Sequence, residues 1–151
     1  GATPIAGLSI DYSVPGMTVD YVWDAEAKAW ARFQTDERHS RARSAYRDAA
    51  GVQVAPANVV VLFTPYKVAE ADVHSPEAFS TGSGDGLVLL DGAMVPIRWT
   101  REAPEHKWRL TTPAGAPVAL NPGRTWVALP EPGPTATPLA PEAATQLLAT
   151  S

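Results

Sequence analysis

Four polar residues stand around the lead-in to the most apolar stretch of this chain: Arg32, His39, Asp48 and Asn58, ahead of Val59 to Thr64. A guanidinium and an amide together can bind an anion or a sugar through charge-assisted and neutral hydrogen bonds. An imidazole that titrates near neutrality can carry a proton. The plainer alternative is that each residue acts only locally. Asn58 then caps a turn, Asp48 pairs with a nearby arginine, and His39 sits in solvent. A second set is larger in area. The five tryptophans, Trp23, Trp30, Trp99, Trp108 and Trp126, each bring a wide apolar surface and one N–H donor. They can fill a core, or an exposed pair can stack on sugar rings or grip a protein partner.

Other combinations carry less chemistry. Gly82-Ser83-Gly84-Asp85-Gly86 invites comparison with a phosphate loop, but such loops lead from a strand into a helix N-terminus, and an apolar strand follows here. It also lacks the glycine spacing of a nucleophile elbow, so we read it as a turn or bulge. His39, His74 and His106 lack the short spacings that make a metal site, and we assign no metal and no cofactor. No nucleophile–base pair is readable, which favours a binding role over catalysis.

Composition narrows the partners. Twelve Lys and Arg stand against 16 Asp and Glu, a formal net charge of −4. Nucleic-acid binding leans on a basic surface, so nucleic acid is not expected. With no Cys, disulfides and thiolate chemistry are excluded, while the compartment stays open. No window approaches the ~20 apolar residues of a spanning helix. The first residues, GATPIAG, show no signal-peptide pattern, and we expect the chain to be a piece of a longer protein.

The elements that must hold these side chains read mainly as strands. Leu8, Ile10 and Tyr12 alternate with Ser9 and Asp11. Val19, Tyr21 and Trp23 share one face of the next strand, and Met17 to Gln34 reads as a hairpin. Trp30 and Phe33 fall on opposite faces of its second strand, which requires either a bulge or cover on both sides. From Asp36 to Gly51 the alternation stops. Ala42, Ala45, Tyr46 and Ala49 follow helical spacing, predicting an inserted helix near residues 37–49, whose arginines (Arg38, Arg41, Arg43 and Arg47) form a solvated face or an anion patch. Val59 to Thr64 is apolar on both faces, as a central strand would be. Lys67 to Glu77 reads as a loop. Asp91-Gly92 joins Leu87–Leu90 to Ala93–Trp99 in a hairpin, since both turn residues tolerate positive φ. Further short strands span Trp108–Thr111, Pro117–Leu120 and Thr125–Leu129.

With 15 Pro and 11 Gly, turns outnumber long helices. We therefore expect a mainly β domain over residues 1–130, a sandwich or open barrel of antiparallel hairpins. Residues 131–151 form a proline-rich tail, ending in a short helix over Pro141–Ala149 with Pro at its first position.

Four segments in order, VDYVWDAEAKAWARF, APANVVVLF, TGSGDGLVLLDGAMVPIRW and LNPGRTWVALP, resemble the C-terminal domain of the YerB-like lipoprotein family of unknown function, DUF3048. The resemblance runs from about Leu8 to Pro130. It implies an extracytoplasmic bacterial envelope protein, anchored by lipid upstream of this domain. It brings Trp99 and Trp126 forward as recurring positions, and Arg32, His39, Asp48 and Asn58 as a polar set. Ile97 stands where the family usually has glycine, and the Arg-rich segment separates His39 from Asp48. The expected role is a non-catalytic binding or assembly module that engages an envelope protein or a wall glycan. The alternative is part of an envelope hydrolase whose site is completed by an N-terminal domain.

Overall fold

The computed structural model describes residues 1–12, 16–36, 42–69, 72–78 and 81–151. In chain order the strands are β1 (Thr3–Pro4), β2 (Gly7–Tyr12), β3 (Met17–Asp24), β4 (Ala29–Asp36), β5 (Ala42–Ala45), β6 (Asn58–Leu62), β7 (Tyr66–Ala69), β8 (Asp72–Ala78), β9 (Gly82–Leu90), β10 (Ala93–Arg101), β11 (Arg109–Thr111), β12 (Thr125–Ala128) and β13 (Ala136–Pro138). A helix, α1 (Pro141–Ala149), follows.

Alternating apolar side chains need cover on one face, and two sheets supply it to each other. The first sheet runs β1-β10-β9-β6-β12, with β11 beside β10; the second runs β13-β2-β3-β4-β5. Leu8, Ile10, Val19, Tyr21 and Trp30 from the second sheet meet Val59, Val61, Leu89 and Ala128 from the first in one buried cluster. The architecture is a two-sheet sandwich, one of the two arrangements the alternation allowed, and not a closed barrel. A separate ribbon pairs β7 with β8, where the sequence suggested a loop.

Both outer faces are also covered. On the first sheet, Val60, Leu62, Val88, Ile97 and Trp99 pack beneath Trp108, Leu110, Val118 and Leu129. This is why β6 can be apolar at every position after Asn58. On the second sheet, Val22, Ala31 and Phe33 pack against Ala144, Leu147 and Leu148 of α1. Trp30 and Phe33 thus satisfy opposite layers without a bulge, and truncating either large ring to alanine should cost about 3–5 kcal/mol.

The helix predicted near residues 37–49 is not found. Residues 37–41 lie outside the described residues, and Ala42–Ala45 is an edge strand paired with β4, Phe33 opposite Ala45 and Asp36 opposite Ala42. The helical spacing rested on three alanines and one tyrosine, which would bury little area. Pairing to the open side of β4 satisfies backbone groups that a detached helix would leave bare, so tertiary context overrides the pattern. The helix present among the described residues is the terminal one, with Pro141 at its first turn.

The glycine cluster is likewise corrected. Gly84 and Gly86 do not bend the chain; they lie inside β9, whereas Gly82, at φ of 102°, opens the strand just after a bend at Thr81. Gly84 faces Trp99 across the ladder, and a Cβ there would stand 2.7 Å from the indole nitrogen. At Gly86 it would stand 2.3 Å from the Val61 carbonyl oxygen. The glycines make room for an indole and for a neighbouring backbone. Asp91 and Gly92 form the expected tight turn, with φ of 51° and 73°.

The proline-rich stretch is built into the sheet margin. β13 pairs with β2, at an edge where proline is tolerated.

Candidate functional site

The strand β4 sends Trp30, Arg32 and Gln34 to its inward side, opposite Trp23, Tyr21 and Val19 of β3. Trp30 is fully buried, and its ring lies 5.0 Å from that of Trp23. Two residues on, the same row carries a guanidinium. Arg32 is only 8% exposed, and Gln34 beyond it is half-buried. The row therefore passes from core to rim between Trp30 and Gln34.

Arg32 sits in an aromatic corner. Tyr46 and Trp126 meet edge to face, with centroids 6.4 Å apart and 71° between their planes. The Arg32 Cζ lies 4.3 Å from each centroid and 5.9 Å from that of Tyr21. Each ring face attracts the cation by its quadrupole, by roughly 0.5–2 kcal/mol. Tyr46 and Trp126 are themselves half-exposed, so the corner opens outward.

Buried charges are ordinarily paired with an opposite charge. Arg32 has no carboxylate partner among the described residues. Its Nη2 donates to Gln34 Oε1 at 3.5 Å, a long contact, and its buried Nε has no hydrogen-bond partner. The buried Tyr21 hydroxyl beside it makes no close hydrogen bond, with the Trp126 side chain its nearest donor. Burial lifts the Tyr21 phenol well above its ordinary 10.0, opposed by the neighbouring Arg32 charge. It stays a donor at any physiological pH.

Two elements deliver the ring walls. Trp126 lies on β12, which pairs in parallel with β6 and places Trp126 opposite Val59. Tyr46 follows β5, and its backbone is tied between Arg32 and Val54: its N–H donates to the Arg32 carbonyl at 3.0 Å, and its carbonyl accepts from Val54 at 2.8 Å. The Gln53 side chain donates to the same Arg32 carbonyl at 2.9 Å. The segment that interrupts the strand pattern is thus what brings the Tyr46 ring to Arg32.

The residues singled out in sequence are distributed as follows. Arg32 and Trp126 meet. Asn58 is near them in the ladder but fully engaged: its Nδ2 donates to the Asn121 carbonyl at 2.9 Å and Thr125 Oγ1 at 3.3 Å, and its Oδ1 accepts from the Asn121 N–H at 3.0 Å. It fastens the turn that leads into β12. The exposed Asp48 accepts the Ala50 and Val52 N–H groups at 2.9 and 3.0 Å, closing its own tight turn. Trp99 is buried on the opposite face of the first sheet, away from Trp126. His39 lies outside the described residues. Tyr21, Gln34 and Tyr46 were missed as partners. For Tyr21 and Gln34 the signal was present in the hairpin register, which pairs Tyr21 with Arg32.

On the other side of the same hairpin lies a second buried charge. Asp20 is 1% exposed, and its Oδ2 accepts from Arg43 Nε at 2.7 Å. The pair lines a cavity of about 400 Å³ beneath α1, together with Leu139, Ala143 and Leu147. Among the described residues, no group of three or more His, Cys, Asp or Glu converges as a metal site. No helix there is long and apolar enough to cross a membrane.

Comparison with solved structures finds the same fold in the crystal structure of the YerB protein from Bacillus subtilis, with a TM-score of 0.68 at 14% identity. The match covers 89% of this chain and 43% of that one, so this chain spans less than half the length of its structural relative. Comparison with curated protein sequences finds no match. A family profile described as the C-terminal domain of a protein of unknown function, DUF3048, matches residues 8–127. That span contains both sheets' central strands and every wall of the Arg32 corner, and on it the chain belongs to the DUF3048 family, as a C-terminal domain.

Proposed function

We propose that this domain is a non-catalytic binding module of the bacterial cell envelope, carried on a longer lipid-anchored chain, and that it engages its partner at the Arg32 corner. The observation that supports this most is the buried guanidinium held between Tyr46 and Trp126 without a carboxylate of its own among the described residues. Its surroundings supply hydrogen-bond donors and a positive charge. Such a set holds an acidic group in place, and among the described residues that contact Arg32 none takes a proton from it. The hydrolase alternative called for Arg32, His39 and Asp48 to converge; Asp48 Oδ1 serves its own turn, and His39 lies outside the described residues.

The test is co-sedimentation of the purified chain with bacterial wall sacculi and with envelope membranes. The wild-type chain should pellet with one of them, and Arg32→Gln and Trp126→Ala should each remain in the supernatant while keeping the wild-type circular dichroism spectrum. Absence of pelleting, or pelleting indifferent to both substitutions, would refute the reading.

A further inference from the structure

We infer that the acidic group taken at Arg32 is a carboxylate borne on a sugar ring; this deepens the binding-module reading and rests on it. The corner is rich in donors. Arg32 Nε is buried without a hydrogen-bond partner among the described residues, and Arg32 Nη2 is only loosely engaged by Gln34. A buried donor left unmade is unfavourable by about as much as a hydrogen bond to it would contribute. An occupant must therefore bring acceptors.

The charge argument narrows the acceptor. Arg32 is the cation that lies against the rings of this corner; Arg43 is held by Asp20 on the opposite side of the hairpin. A phosphate dianion is ordinarily met by several cations or by a row of backbone N–H groups. A carboxylate carries one charge and is planar, which matches the flat guanidinium fork.

The walls then indicate what bears the carboxylate. Tyr46 and Trp126 present half-exposed rings at a steep-angled corner. Rigid aromatic walls with a few convergent polar groups suit a compact ring that has C–H faces and a hydroxyl rim.

Two-dimensional NMR titration of the full chain with glucuronate tests this, following the Trp126 indole N–H and the Arg32 Nε–H signals. Both should shift saturably with glucuronate, and much less with glucose or inorganic phosphate. Arg32→Gln should weaken the affinity roughly tenfold or more, the scale of one lost charge-assisted hydrogen bond. Trp126→Phe, which keeps an aromatic wall, guards against a folding artefact by weakening binding with the other signals unmoved. Equal or tighter binding of phosphate, equal binding of N-acetylglutamate, or no shift with glucuronate would each overturn the sugar-acid assignment. Envelope pelleting that depends on Arg32 alongside a failed glucuronate titration would leave the binding-module reading standing and remove only this inference.

Discussion

Two charges are buried on one hairpin, and they are treated differently. Asp20 faces outward from the sandwich beneath α1, and Arg43 meets it at 2.7 Å. Arg32 faces inward, and aromatic rings meet it without a carboxylate among the described residues. The first arrangement is paired: a cation and an anion from two strands of one sheet fasten the edge strand β5 in place, while Asp20 Oδ1 has no hydrogen-bond partner among the described residues. The second is open, because the charge is sheltered and still unanswered. Similar burial therefore marks a structural tie in one case and a candidate site in the other, and the presence of an opposite charge separates them.

Substitutions can break that contrast. The largest effect is expected for Arg43→Ala, which strands the Asp20 carboxylate. Loss of one member of a fully buried pair is worth about 3–5 kcal/mol; with the Arg43 side chain 34% exposed, roughly 2 kcal/mol is the discounted expectation. Urea denaturation should show it as a lower midpoint at unchanged slope, and restoration by Asp20→Asn in the same chain would sharpen the assignment to the stranded charge.

The next effect is alkaline. Because the Tyr21 phenol is raised in the fold, the unfolded chain loses that proton first as pH climbs through 10.0. Stability from this group is full below that value and declines above it, by about 1.4 kcal/mol per pH unit at most. Tyr21→Phe should be flatter than wild type from about pH 9 to pH 11 on that ~1.4 kcal/mol scale, and parallel curves would contradict the burial argument.

The smallest stability change is expected at Arg32 itself. Arg32→Met keeps the length, removes an unpaired charge and loses the ring attraction, so the net should stay within about 1 kcal/mol of zero. Thermal melts would read it. A loss comparable to that of Arg43→Ala would mean that Arg32 is a structural tie after all and would erase the contrast.

Much of this was legible in the chain. Alternation placed Val19, Tyr21 and Trp23 on one face, the odd spacing of Trp30 and Phe33 narrowed the second strand to a bulge or two covered faces, and Asp91-Gly92 fixed its turn. The stretch after Asp36 was not legible, because small alanines fit either a weak helix or an edge strand, and only the unpaired side of β4 decides between them. The β9 glycines misled for a related reason. Their role is set by Trp99 and Val61, which are distant in sequence and adjacent across the ladder. At the site, Arg32 and Trp126 could be nominated singly, but their meeting depends on how two sheets stack.

The parallel pairing of β12 with β6 has a consequence for biogenesis. Asn58 is bonded to Asn121 and Thr125, 63 and 67 residues further along. Closing so long a span is entropically slow, and a nascent polypeptide cannot attempt it until nearly all of this domain has left the ribosome. The Trp126 wall is therefore the last of the three rings to arrive, and the Arg32 corner is completed only when folding is almost complete. A chain stalled or truncated before Thr125 should lack the Trp126 side of the Arg32 corner, with the apolar flank of β6 left bare for chaperones to recognise.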